Sequence, residues 1–188
     1  TLPSGSTLHV SGASLGNPKI REMIKDLLAQ MQDTGTVSYD PNIRPELMKD
    51  PSVRQTIDHI VSRCDIFLPS DSDLAALYPN KKPETVINDL LKNGKKNVIV
   101  KQGARGVIGS DGTSLIRLPA LAVDEVDPTG AGDCFCGTLI GLLDQGYPFK
   151  EALAAANIAG ALHVTQRGPM EWNPTLSEIQ EHLEMEPA

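Results

Sequence analysis

From Pro18 onward, Ile20, Met23, Ile24, Leu27, Leu28 and Met31 recur every three or four positions and predict a helix with one apolar face running to about Asp33. Asn17 suits its N-cap, Pro18 its first turn and Gly35 its stop. Thr7 to Ser11 before it and Val37 to Asp40 after it read as short strands, so the chain opens with the order of a right-handed parallel crossover. The alternation continues. Pro51 to Ser62 is helical through Val53, Ile57, Ile60 and Val61, and Asp65 to Leu68 is an apolar run of the buried-strand type. Helices are expected from about Asp71 to Tyr78 and from Pro83 to Asn93, the second stopped by Gly94, before a central strand at Asn97 to Lys101.

Beyond Lys101 the pattern changes. Gly106 to Ser110 and Thr113 to Leu118 flank Asp111-Gly112, a tight-turn dipeptide, and predict an antiparallel edge. Three helices follow, at about Ala131 to Asp144, Phe149 to Thr165 and Leu176 to Leu183, the last opened by a Thr175/Glu178 capping box. Gly137 and Gly141 leave one face of the first of these without side chains, suited to close packing on a sheet. The whole predicts a single three-layer α/β domain over residues 1–188, with a mostly parallel sheet that binds ligands at the C-terminal ends of its strands.

Composition narrows the function classes. A chain of 188 residues with 40% hydrophobic and 22% charged positions is globular rather than disordered or fibrous. Seventeen basic residues against 24 acidic ones give a net charge of −7, which supplies no footprint for nucleic acid or an anionic membrane. An anionic substrate therefore needs a local site. With no apolar run of about 18 residues, and no basic start and apolar stretch in TLPSGSTLHVSG, a cytoplasmic setting is expected. Cys64, Cys134 and Cys136 lack zinc-site spacing and are expected as reduced thiols, and the four histidines are too scattered to suggest a metal cluster.

The chemistry concentrates in Asp127-Pro-Thr-Gly-Ala-Gly-Asp133. A helix starts there, so the amides of Gly130, Ala131 and Gly132 would offer free N–H groups to an anion while the glycines let it approach. Asp133, in the first turn, is favoured as a carboxylate by the helix dipole and suits a base acting on an attacking hydroxyl. A lone Gly-x-Gly of this kind is equally the mark of an ordinary tight turn and helix start. The longer string is more specific: Asp127-x-Thr-Gly-Ala-Gly-Asp133-x-Phe-x-Gly137 closely resembles the C-terminal signature of the ribokinase-like, or PfkB, family of carbohydrate kinases. Tyr39-Asp-Pro-Asn-Ile-Arg-Pro45 resembles a segment of its fructokinase-like and 2-keto-3-deoxygluconate kinase-like members. Val100-Lys-Gln-Gly-Ala-Arg-Gly106 resembles the family's turn under the nucleotide phosphates, and Ala156-Asn157 with Val164-Thr-Gln-Arg-Gly168 its late nucleotide and cation region.

The resemblance implies a ribokinase-like α/β/α fold and an ATP-dependent kinase acting on a small sugar or keto-deoxy sugar acid, with Mg²⁺ and K⁺ as cofactors. It makes Asp133 the general base and the amides of Gly130, Ala131 and Gly132 the anion hole. Lys101, Gln102, Gly103, Ala104, Arg105 and Gly106 would line the ATP phosphates with Gly132, and Asn157 would lie beside the nucleotide. Asp127, Thr129, His163 and Gly168 match where members hold a monovalent cation, through backbone carbonyls in the last two cases. Asn42 and Arg44 fall on the sugar side, where Arg44 would face a phosphate or a carboxylate or would form a surface ion pair. Members commonly carry Asn-x-x-Glu where this chain has Ser70-Asp-Ser-Asp73, so Asp73 is a shortened candidate for placing Mg²⁺ and equally suited to capping a helix.

Members also have an N-terminal part with a small sheet lid that finds no counterpart here, so the chain is expected to be the C-terminal, nucleotide-binding portion of such a kinase. Closure assembles such sites, so the portion alone is expected to be weak or inactive in transfer. A sheet edge exposed by the missing strands would invite a homodimer. The second reading is an inactive nucleotide-binding fragment or pseudokinase-like module. A dinucleotide-binding oxidoreductase is disfavoured, because no G-x-G-x-x-G follows the first strand.

Overall fold

The computed structural model describes residues 2–31 and 35–185. Its strands are β1 (Thr7–Ser11), β2 (Thr36–Asp40), β3 (Ile66–Phe67), β4 (Asn97–Lys101), β5 (Val107–Ser110) and β6 (Leu115–Leu118). Its helices are α1 (Pro18–Gln30), α2 (Pro51–Arg63), α3 (Asp71–Leu77), α4 (Pro83–Lys92), α5 (Ala131–Asp144), α6 (Phe149–His163) and α7 (Leu176–Met185). The six strands run in sheet order β1-β2-β3-β4-β5-β6. β1 to β4 pair in parallel, with Thr7 opposite Thr36, Ser38 opposite Ile66, and Phe67 opposite Val98. The links from β4 to β5 and from β5 to β6 are too short for a parallel crossover, so the sheet turns antiparallel there, as Asp111-Gly112 predicts. Every expected element is present, and most ends agree within one or two residues. Among the described residues, no helix is long and apolar enough to cross a membrane.

The chain divides into two compact units, Thr1–Val100 with Gly109–Leu115, and Lys101–Ile108 with Ile116–Ala188. In the first, Val10, Val37, Tyr39, Ile66, Phe67, Val98, Ile99 and Val100 of the strands are buried, with the apolar faces of α1 to α4. Asn17 caps α1 by accepting from the Lys19 amide at 2.9 Å, as its sequence suggests. The buried face of α1 is turned from the expected one: Met23 is 53% exposed, while Arg21, Ile24, Leu28 and Met31 are buried. The reason lies in α2. Arg21 reaches the N-terminal end of that helix, where its guanidinium donates to the Leu15 carbonyl at 2.7 Å and to Ser52 Oγ at 3.1 Å, so its charge enters satisfied. α1 ends at Met31, whose N–H bonds Leu27 O; the expected end at Asp33 lies outside the described residues, and Gly35 is not the cap.

In the second unit α5 and α6 pack on each other along their lengths. α5 buries Phe135, Cys136, Leu139, Ile140 and Leu142, and the small residues Ala152, Ala155, Ala156 and Ala159 of α6 are buried too, so backbones approach closely without crowding. The close approach expected at Gly137 and Gly141 is absent: a Cβ at either would meet nothing within 4 Å. The residue that does allow contact is Gly160, whose added Cβ would lie 3.3 Å from Ala131 O and 3.5 Å from Phe135 Cβ. α7 is opened by the expected capping box, with Glu178 Oε2 accepting from the Thr175 amide at 2.7 Å.

Candidate functional site

The first turn of α5 begins at Gly130, whose φ of 88° is left-handed and carries no side-chain cap. Only glycine takes that conformation cheaply, and here space demands it too: an added Cβ would lie 2.8 Å from His163 Nε2 and 2.9 Å from Pro169 O. The first intrahelical bond runs from the Cys134 amide to Gly130 O at 2.8 Å. Of the amides ahead of it, that of Ala131 already donates to Pro128 O at 3.3 Å. Those of Gly130, Gly132 and Asp133 have no acceptor, so two of the three amides expected to face an anion are open, that of Ala131 is not, and Asp133 adds a third. Asp133 occupies the third helical position and is exposed. It shares the first turn of α5 with the open amides.

A cavity of about 590 Å³ ends at this turn, bordered there by Pro128, Ala131 and Gly132. One wall is the stretch Ala120, Leu121, Ala122 and Val123, and another comes from Gly160, Ala161 and Val164, so most of its lining is apolar. Lys101, Gly103, Ala104 and Gly106 also line it, while Gln102 and Arg105 do not. Gln102 instead closes the turn by donating its amide to Gly106 O at 2.8 Å, and Arg105 is exposed on it. Gly106, at φ 91°, is required because a Cβ would strike the backbone of Leu118, Pro119 and Ala120. Asn157 lines the cavity and holds its wall, donating Nδ2–H to Pro119 O at 2.7 Å. The 119–123 wall is the part that sequence reasoning missed. Its only signal is an apolar run, Leu118 to Val123, that belongs to no regular element over most of its length.

The residues expected around a cation are brought together, as a hydrogen-bonded knot. Asp127 accepts from the Thr129 amide through Oδ1 and from the Gly168 amide through Oδ2, each at 3.0 Å. These bonds hold its pKa well below the usual carboxylate range, at about 2, the Thr129 bonds acting most strongly. Thr129 O accepts from His163 Nε2 at 3.0 Å, so the His163 ring joins the knot as a donor. Carboxylate and carbonyl oxygens each keep a further lone pair, so the donor set remains compatible with a cation without needing one to hold it together. The Cys134 thiol donates to Ala159 O at 3.6 Å and is pushed up in pKa by burial, and Lys101 Nζ lies 3.7 Å from Cys136 Sγ, so the CxC pair is structural.

The remaining candidates lie in the first unit. Asp40, at the end of β2, is 3% exposed, and Asn42 follows with a left-handed φ of 39°. Arg44 is exposed and takes no part in the salt bridges among the described residues, so the ion-pair role weighed for it is not seen. Asp73 is put to structural use. It is 3% exposed, its Oδ2 accepts from Ser70 N at 2.8 Å and Ser70 Oγ at 2.6 Å in a capping box, and its Oδ1 accepts from Ile43 N at 2.7 Å. The shorter side chain turns inward onto its own helix cap and the 40–44 loop, and of the two roles open to it the capping role is the one observed. No cluster of three or more His, Cys, Asp or Glu side chains among the described residues is placed to hold a metal.

Comparison with known proteins bears on the fold and the family. The profile described as pfkB family carbohydrate kinase matches residues 1–176. The chain is 35% identical over 184 residues to 2-dehydro-3-deoxygluconokinase of Bacillus subtilis (strain 168), covering 94% of this chain and 56% of that protein. A solved structure of an E. coli protein provisionally named ribokinase II, in complex with ATP and Mg²⁺, superposes with a TM-score of 0.90 at 36% identity over 96% of this chain and 59% of that one. Fructokinase from Vibrio cholerae O395, bound to fructose, ADP and calcium, superposes with a TM-score of 0.86 at 29% identity over 96% of this chain and 61% of that one. The ribokinase-like α/β fold is thereby established. The chain spans less than two thirds of the length of these relatives.

Proposed function

Because the chain belongs to the pfkB family of carbohydrate kinases, we propose that the full protein transfers the γ-phosphoryl group of ATP to a hydroxyl of a small sugar or keto-deoxy sugar acid. One observation carries this reading: the open amides of Gly132 and Asp133 and the exposed Asp133 carboxylate stand in the same helical turn, at the end of a mostly apolar cavity. The chemistry needs those parts. Phosphoryl transfer is governed by positioning and by neutralising charge on the transferred group, which N–H donors at a helix start supply. Asp133 takes the proton from the sugar hydroxyl as it attacks.

The cavity suits a nucleotide, with apolar walls for a base, the Gly103–Arg105 turn and Lys101 along one side, and the helix start at its end. Mg²⁺ bound with the nucleotide supplies charge neutralisation; Asp73, already saturated by the Ser70 cap and Ile43, is not assigned to it. On the acceptor side Asn42 and Arg44 are the candidates, and the planar guanidinium of Arg44 suits the carboxylate of a sugar acid. Two relatives support that substrate range, one named for a keto-deoxy acid and one bound to fructose.

The test is ADP release by the full-length protein with Mg·ATP and a panel of ketoses, aldoses and keto-deoxy sugar acids. Sugar-dependent turnover with at least one member is expected. ATP binding without turnover on any of them would instead favour the nucleotide-binding module.

A further inference from the structure

α5 starts without a side-chain cap, yet its first turn must hold two amides and a carboxylate in fixed directions. Something else must set its orientation. The peptide preceding Gly130 is held at both ends: the Thr129 N–H donates to Asp127 Oδ1 at 3.0 Å, and the Thr129 carbonyl accepts from His163 Nε2 at 3.0 Å. His163 closes α6 and is 1% exposed, so its ring has little freedom to move. On the other side of Gly130, Pro169 leaves no room for a Cβ, with its O and Cα at 2.9 and 3.0 Å. The glycine is wedged between the imidazole and the Pro169 backbone.

The chemistry of the bond also fixes the ring. A carbonyl oxygen only accepts, so Nε2 carries the hydrogen, and Nδ1, buried with no partner, is the nitrogen the contact does not use. From this geometry we propose that His163 is a positioning residue for phosphoryl transfer: its Nε2–H grips the Thr129 carbonyl and so aims the Gly132 and Asp133 amides and the Asp133 carboxylate. The inference rests on the kinase reading above, but the contact itself does not.

Two replacements separate the hydrogen bond from the volume it fills. Glutamine places an amide N–H near the Nε2 position, whereas leucine fills the space without a donor. In the full-length protein, His163→Leu lowers kcat about tenfold or more at saturating ATP and sugar, while His163→Gln restores most of it. The second readout needs no turnover. Amide exchange at Thr129 and Cys134, which bracket the turn, becomes faster in His163→Leu than in wild type and returns toward wild type in His163→Gln. Equal kcat in wild type and His163→Leu, or an equal fall in both variants, overturns the positioning role. If the wild-type protein phosphorylates no sugar, the kinase reading fails, and exchange alone decides: unchanged rates in His163→Leu refute the proposal and faster rates rescued by His163→Gln support it.

Discussion

Gly130 and Gly132 lie two residues apart, and the same change at each has opposite consequences for stability. At Gly130 a Cβ is forced into a left-handed backbone, φ 88°, which costs roughly 1–2 kcal/mol for an L-residue. It also lands 2.8 Å from His163 Nε2 and 2.9 Å from Pro169 O, and relieving such overlap costs about 1–3 kcal/mol more. Gly130→Ala is therefore expected to lose roughly 2–5 kcal/mol, and at about 2–4 °C per kcal/mol for a chain of this size its Tm falls by about 10 °C. Gly132 sits in regular helix and is not among the glycines with positive φ, so Gly132→Ala follows helix propensity and is neutral or gains up to about 1 kcal/mol. Ligand binding then reverses the order of damage. The Gly132 amide has no acceptor and borders the cavity, so a new methyl there crowds an incoming phosphate and weakens Mg·ATP binding by about tenfold or more. Thermal unfolding followed by circular dichroism gives the first quantity, and titration calorimetry with Mg·ATP the second. Similar Tm losses in both variants, or unchanged ATP affinity in Gly132→Ala, would refute the distinction between a glycine kept for its backbone and one kept for its ligand.

Asp133→Asn retains the helix start but removes the base, so kcat falls by on the order of 10² or more with little change in ATP affinity; near-normal kcat removes Asp133 from that role. Asp73→Ala breaks the Ser70 cap and frees Ile43 N–H in a site only 3% exposed. It should cost about 2–3 kcal/mol in urea unfolding and raise KM for the sugar more than for ATP. The Asp127 carboxylate has its pKa lowered to about 2 by bonds from Thr129 and Gly168, so its contribution is complete above the ordinary value near 4 and is lost as pH falls toward 2. The Tm advantage of wild type over Asp127→Asn should shrink across that interval, and a gap that stays constant from pH 5 to 2 contradicts the bonds.

Periodicity located the helices and strands because each element's burial repeats at its own spacing, and the Asp111-Gly112 turn marked where the sheet reverses. The Asp127–Asp133 string was legible as a helix start with open amides for a local reason, since glycine and a first-turn carboxylate act through the backbone they belong to. What escaped depended on distant partners. Arg21 took the buried place expected of Met23 because Leu15 O and Ser52 Oγ, brought near by folding, accept its charge. Asp73 became an anchor because its shorter side chain met Ile43 N–H, 30 positions away in the chain. The Ala120–Val123 wall carried only an apolar run, because it belongs to no regular element and its neighbour Pro119 is held by Asn157, 38 residues on. His163 was read from the sequence only through its backbone carbonyl, and the contact of its ring exists because α6 sets Nε2 against the Thr129 carbonyl, 34 residues back along the chain. Local backbone chemistry is encoded where it acts, whereas a hydrogen bond across tens of residues exists only once the fold has brought its two partners together.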